Sequence, residues 1–244
     1  MKQLVVNGCS YMEGYAGGNG HIDLAELLGI PNATSLAIGG SANNRILRTT
    51  LKHSYQATVP TMYIMGLTFV SRDELPILRV RDNDSFEGRW CNPQNQEFAS
   101  NYEHFWNRAE SERFVEFKLK TEVYSLLDRT EDLQFRILAA VADLKSRGHG
   151  VLVYQQADDS YRDLLLLPKL QYFKTVSNII DSFGWCAIQY QHSQGVPTSE
   201  PATTANYIGP QGTPEEIRHR ASGHHAVLNN FLAAYIKENR LLNE

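Results

Sequence analysis

The strongest constraint in this sequence is a repeated alternation. A short apolar run stops at glycine, and a stretch with helical spacing follows. Leu4-Val5-Val6 stops at Asn7-Gly8, the run 34–38 stops at Gly39-Gly40, and the run 61–65 stops at Gly66. The runs 151–155 and 185–190 read as a fourth and a fifth strand. Parallel neighbours in a sheet need a crossover, and crossovers are right-handed, so helices end on both faces. We therefore expect an α/β fold: a three-layer α/β/α sandwich around a five-stranded, mainly parallel sheet.

The intervening stretches supply the helices. Residues 21–28 carry Leu24, Leu27 and Leu28 on one predicted face. Ser41 is placed to cap a helix over 42–53 with Ile46 and Leu47 inward. Thr130 is placed to cap a helix bearing Leu133, Ile137, Leu138, Val141 and Leu144, closed by Gly148. Apolar spacing predicts a further helix over 170–183. The capping box Thr213-Pro214-Glu215-Glu216 precedes a last helix with Leu228, Phe231, Leu232, Tyr235 and Ile236 at helical spacing. A length of 244 residues suits one such domain. The segment at about 71–129 breaks the alternation, being rich in charges and aromatics, and reads as an insertion. Within it Trp90, Tyr102 and Trp106 fit a satellite core better than a stacking surface.

Composition removes several function classes. Lys plus Arg number 23 against 27 Asp plus Glu, a net charge of -4, which argues against a dedicated nucleic-acid binder. The three cysteines, Cys9, Cys91 and Cys186, are odd in number and widely spaced, so they read as free thiols. No apolar leader opens the chain and no apolar run is long enough to span a bilayer. We expect a cytoplasmic protein with no membrane or nucleic-acid partner.

In a doubly wound sheet ligands bind at the carboxyl ends of the strands. The residues just after the strands therefore carry the chemistry. Ser10 follows strand one, where a tight turn can present a hydroxyl beside its own amide, the pairing of nucleophile and oxyanion donor that acyl transfer needs. Gly39-Gly40 lets backbone approach a ligand without a Cβ in the way. Asn43 and Asn44 open the next helix and can point amides into the cleft. Arg72 falls just after strand three, where it can meet a substrate carboxylate. His224 and His225 start the terminal helix, and a neutral imidazole there can serve as a general base. His219 and His225 do not share a face of an unbroken helix, and no nearby carboxylate completes a ligand set, so no metal is expected. If Ser10 faces the cleft, its neighbour Cys9 faces the core.

The order of these signals resembles the SGNH hydrolase superfamily, the GDSL-type esterases and lipases. The resemblance spans residues 1–68 and about 213–240. Val5-Val6-Asn7-Gly8-Cys9-Ser10-Tyr11-Met12-Glu13-Gly14 looks like the first family block, and Leu36-Ala37-Ile38-Gly39-Gly40-Ser41 looks like the second. The resemblance implies a flavodoxin-like sandwich, Ser10 as nucleophile, Gly40 (or Gly39) as oxyanion glycine and His224, or His225 in its place, as base. It implies no cofactor, and an ester substrate such as an O-acyl group on a carbohydrate. The third block departs from Gly-x-Asn-Asp: Gly66-Leu67-Thr68-Phe69 puts Thr68 where asparagine stands in the family. The fourth departs from Asp-x-x-His, since Ala221 and Ser222 stand three residues before the two histidines. Asn43 or Asn44 is a candidate to supply the missing amide. The departures also admit a different class: an impaired SGNH-fold protein that binds a glycan or a protein.

Overall fold

The computed structural model describes residues 1–9, 12, 20–38, 41–68, 75–76, 90–91, 126–156, 178–180, 187, 190, 193–194 and 225–242. In chain order the elements are β1 (Gln3–Asn7), α1 (Gly20–Leu28), β2 (Ala33–Ser35), α2 (Asn43–Gln56), β3 (Thr61–Leu67), β4 (Leu75–Pro76), β5 (Trp90–Cys91), α3 (Leu126–Ser146), β6 (Gly150–Gln155), β7 (Ile179–Ile180) and α4 (His225–Glu238).

Leu4, Val5 and Val6 are fully buried, as are residues 61–65 of β3 and 151–154 of β6. Strands covered on both faces suit parallel pairing, and β1 pairs in parallel with both β2 and β3. β3 pairs in parallel with β6, and β6 with β7. The sheet order is β2-β1-β3-β6-β7, with β4 and β5 forming a separate antiparallel pair. With that pair set aside, this is the flavodoxin-like order, which reverses direction at β1/β3. The expected three-layer architecture is thus the observed one.

Side chains alternate across the sheet and divide the core. Leu4, Val6, Met62, Ile64, Leu152 and Tyr154 pack with Leu24 of α1 and with Leu228, Leu232 and Ile236 of α4. Val5, Tyr63, Met65, Val151 and Val153 pack with Ile46 of α2 and with Leu133, Ile137 and Leu144 of α3. Each fully buried aliphatic side chain contributes roughly 1.5–3 kcal/mol relative to exposure. Among the described residues no helix is long and apolar enough to cross a membrane.

Several expectations need correction. The fifth strand is Ile179–Ile180, inside the stretch expected as a helix, while Ala187 and Tyr190 of the expected strand are helical. Val176, Ile179, Ile180 and Phe183 fall at helical spacing, and a short apolar run fits either period. Asn178 decides the matter through tertiary bonds: its carbonyl accepts from the Val153 amide (2.8 Å) and its Nδ2 donates to the Val151 carbonyl (2.9 Å). Ser41 does not cap α2. Its hydroxyl donates to the Ile38 carbonyl at 2.6 Å, and Ala42 holds the cap position without a side-chain bond. Thr130 lies within α3, which begins at Leu126. Leu27 is 40% exposed and off the core face. Gly148 does close α3, at φ 75°, where a Cβ would be strained. The capping box at 213–216, positions 170–177 and 181–183 of the expected helix and most of the insertion lie outside the described residues.

The amino edge of the sheet is held by neutral histidine. His149, just before β6, is buried, and its Nδ1 accepts the Thr61 amide at 3.3 Å. Its ring stacks edge-on against Tyr63, whose hydroxyl lies 2.9 Å from His53 Nδ1. Burial pushes the Tyr63 phenol up to about 12. Burial also lowers the pKa of both histidines; for His149 Arg147 and His53 reinforce the shift, while a backbone bond to Ser54 and the Asp143 charge oppose it. The unfolded chain binds these protons more readily, so stability is present above the ordinary histidine pKa and is lost as pH falls below it. We expect the melting temperature to drop between about pH 7 and pH 5, and His149→Gln to remove part of that drop. A melting temperature independent of pH in calorimetry would contradict this account.

Candidate active site

Asn7 ends β1 with a carboxamide in a buried position. Its Nδ2 lies 3.0 Å from the Ile46 carbonyl, 2.8 Å from Thr49 Oγ1 and 2.9 Å from Thr50 Oγ1, all on α2. Its Oδ1 accepts the Gly8 amide at 2.9 Å. The strand end is thereby bolted to the helix that follows β2. A Cβ on Gly8 would overlap the Met12 side chain and lie 3.1 Å from the Gly66 carbonyl, so glycine is required here. The Cys9 carbonyl accepts from the Met12 amide (2.9 Å), closing the turn out of β1.

The loop after β2 is fastened to the same helix. Leu36 and Ile38 continue beside β1, donating to the carbonyls of Val6 (2.8 Å) and Gly8 (3.3 Å). Arg45 Nη1 donates to the Leu36 carbonyl at 3.2 Å and to Ser41 Oγ at 3.1 Å. The end of β3 is fastened as well. Asn43 Nδ2 donates to the Thr68 carbonyl at 2.9 Å, and Asn43 Oδ1 accepts the Thr68 amide at 2.8 Å. Both residues are buried.

Behind this edge lies the end of β6. The Gln156 amide donates to the Leu67 carbonyl (3.0 Å), and the Cys9 thiol donates to Gln156 Oε1 (3.5 Å). Cys9 has no exposed surface, as expected of a core-facing neighbour of Ser10. A Cβ on Gly66 would come within 2.9 Å of Gln156 Oε1 and 3.1 Å of the Tyr154 hydroxyl. The Tyr154 hydroxyl donates to Met12 Sδ at 2.8 Å.

The terminal helix starts at the same edge. Asn229 Nδ2 donates to the carbonyl of Gly20, the first residue of α1, at 2.9 Å. α1 leads from the carboxyl edge back to β2, so its first residue lies toward the carboxyl edge. At the far end of the chain the Leu241 carbonyl lies 2.7 Å from where a Gly150 Cβ would be, beside the start of β6. α4 thus runs from the carboxyl edge to the amino edge, with His225 at its head.

Of the expected site residues, the structure brings Asn43 and Thr68 into direct contact. Asn44 is exposed, with its Oδ1 3.5 Å from Arg136 Nη1 of α3, which itself pairs with Asp132 at 2.8 Å. His225 is the first residue of α4. Ser10, Gly40, Arg72 and His224 lie outside the described residues, as do Gly39 and the side chain of His225. Sequence reasoning missed Asn7, Arg45, Gln156 and Asn229. A polar residue closing an apolar strand was a usable signal for Asn7, and the pair Gln155-Gln156 at the end of β6 was one for Gln156. Nothing local marks Arg45 or Asn229.

No family model and no curated protein matches the chain. Among solved structures it is similar to a candidate acylhydrolase from Bacteroides fragilis, with 16% identity, 98% of this chain and 88% of that one covered, and a TM-score of 0.45. It is also similar to a GDSL-like lipase from Bacteroides thetaiotaomicron, with 12% identity, 97% and 88% covered, and a TM-score of 0.46. At this level neither likeness carries residues or chemistry onto this chain.

Removing the Asn7 carboxamide leaves the buried Gly8 amide without its acceptor, and an orphaned buried partner costs about 1–3 kcal/mol. Asn7→Ala is expected to lower unfolding free energy by at least that much in urea titration. Gln3→Ala, at the half-buried start of the same strand, should cost less. Equal losses in the two variants would show that Asn7 holds nothing special.

Proposed function

We propose that the chain is a serine esterase of the SGNH type, acting in the cytoplasm on an ester such as an O-acyl group of a carbohydrate. The observation that supports it best is the gathering of strand ends. Helix α2 fastens β1, the β2 loop and β3 side by side, and the Asn229–Gly20 bond ties the start of α4, one turn after His225, to the same edge. Ser10 directly follows the described Cys9 on that edge, and His224 directly precedes α4.

In this reading Ser10 Oγ adds to the ester carbonyl carbon while its proton passes to the imidazole of His224, or of His225 in its place. The amides of Ser10 and Gly40 donate to the oxyanion, and the Asn43–Thr68 pair supplies a further donor. Collapse of the tetrahedral species expels the alkoxide, which takes the proton from the imidazolium. Water then adds to the acyl-enzyme, giving its proton to the same imidazole, and the acid leaves with Ser10 restored. With no carboxylate at 221 or 222, a backbone carbonyl is left to orient the ring. Asn44 and Arg72 are the candidates for contacts to the rest of the substrate. The chemistry calls for no metal or organic cofactor.

A second reading, an impaired protein of the same fold that binds a glycan or a protein, is favoured by Thr68 in place of asparagine and by the missing carboxylate. Intact mass after a small fluorophosphonate separates the two. We expect one adduct on wild type and none on Ser10→Ala. Folded wild type that stays unmodified, with the reagent shown active on a control hydrolase, would overturn the esterase reading and favour the binding one.

A further inference from the structure

The Asn43 carboxamide uses its oxygen on the Thr68 amide at 2.8 Å and its nitrogen on the Thr68 carbonyl at 2.9 Å. These are the two bonds a neighbouring strand would make to Thr68 if the ladder went one residue further. β3 itself stops at Leu67. On the β6 side the ladder also ends here, with the Gln156 amide on the Leu67 carbonyl. A side chain on α2 therefore makes both bonds of a rung beyond the end of β3. Asn43 is buried and is the first residue of α2, the helix that also bonds to Asn7 and carries Arg45, the donor to the loop after β2.

We infer that Asn43 is a positioning residue for the acyl-transfer site, acting through Thr68 rather than on the oxyanion directly. The inference rests on the esterase reading and deepens it. By clamping both backbone groups of Thr68, Asn43 sets where the end of β3 stands relative to the strand-one turn. Displacing a site group by about 1 Å is enough to cost on the order of a hundredfold in rate. The threonine at this position has a shorter reach than asparagine, so its backbone has less tolerance for drift.

The isosteric variant Asn43→Asp gives the clamp a signature. Its carboxylate still accepts the Thr68 amide, but its second oxygen faces the Thr68 carbonyl with no hydrogen between them. A proton on that oxygen restores the missing bond, and burial beside a carbonyl favours its uptake. The measurement is the second-order rate of fluorophosphonate labelling, per folded molecule, for wild type and variant across about pH 5 to 8. Taking the ratio at each pH cancels the ionisation of the histidine base, which both proteins share. We expect the variant to fall at least about tenfold below wild type at the alkaline end and to recover toward it as pH drops. A ratio independent of pH would overturn the inference, because loss of fold alone does not reverse on acidification among folded molecules. Should Asn43→Asp fail to fold, Asn43→Ala takes its place: it is expected to label slowly at every pH, and labelling at the wild-type rate would overturn the clamp. Wild type that takes no label removes the esterase reading and this inference with it, whereas labelled wild type with a flat ratio removes the inference alone.

Discussion

The Asn7 carboxamide, bonded to α2 and to the amide of Gly8, is the contact on which the arrangement of the carboxyl edge depends. A parallel sheet fixes the register of its strands but not the direction in which the chain leaves them. That direction has to be set by side chains. Here the first turns of α2 set it three times, through Asn7 for β1, Arg45 for the loop after β2, and Asn43 for β3. One rigid helix thus serves as the common reference for three loops. A satisfied internal hydrogen bond adds only about 1 kcal/mol net, yet leaving one buried partner unmet costs about 1–3 kcal/mol. The asymmetry makes the set cooperative: its members hold together or fail together.

The two edges of the sheet are held by different chemistry. At the amino edge a buried imidazole accepts a backbone amide and stands against a phenol. That arrangement works only while the ring is neutral. At the carboxyl edge the fastenings among the described residues are mostly amides and hydroxyls, with the Arg45 guanidinium, the Cys9 thiol and the Met12 thioether beside them. Amides do not titrate in the physiological range, so the geometry of this edge is insulated from the protonation changes that acid–base chemistry beside it would require.

Much of this fold was legible because period and burial agree. β1, β3 and β6 are apolar on both faces, and α2, α3 and α4 carry their buried leucines and isoleucines at helical spacing. The failures have a common cause. Ile179–Ile180 fits a helix as well as a strand until Asn178 is seen bonded to Val151, 27 residues away in sequence. Ser41 has the chemistry of a cap, but Arg45 and the Ile38 carbonyl claim its hydroxyl. Within the site, residue types after each strand pointed to Asn43 and Thr68, while their relation to each other, 25 residues apart, was invisible. Asn7 meets its partners at separations of 39 to 43 residues, and Asn229 meets Gly20 at 209. Local pattern carries the elements; it does not carry bonds made between them.

The pairing of Asn43 with Thr68 changes what the departure at position 68 means. Read along the chain, threonine in place of asparagine is the loss of a donor, and a nearby asparagine looks like its substitute. In space the two residues are not alternatives but parts of one device. β3 itself stops at Leu67, and the carboxamide makes to Thr68 the two bonds that a further rung would make. A short side chain on a fixed backbone can be aimed as closely as a longer one on a looser backbone, because the error in placing a group is the sum of both uncertainties. In the proposed esterase reading the Asn43 carboxamide supports the site through the Thr68 backbone, a role that sequence position alone does not reveal.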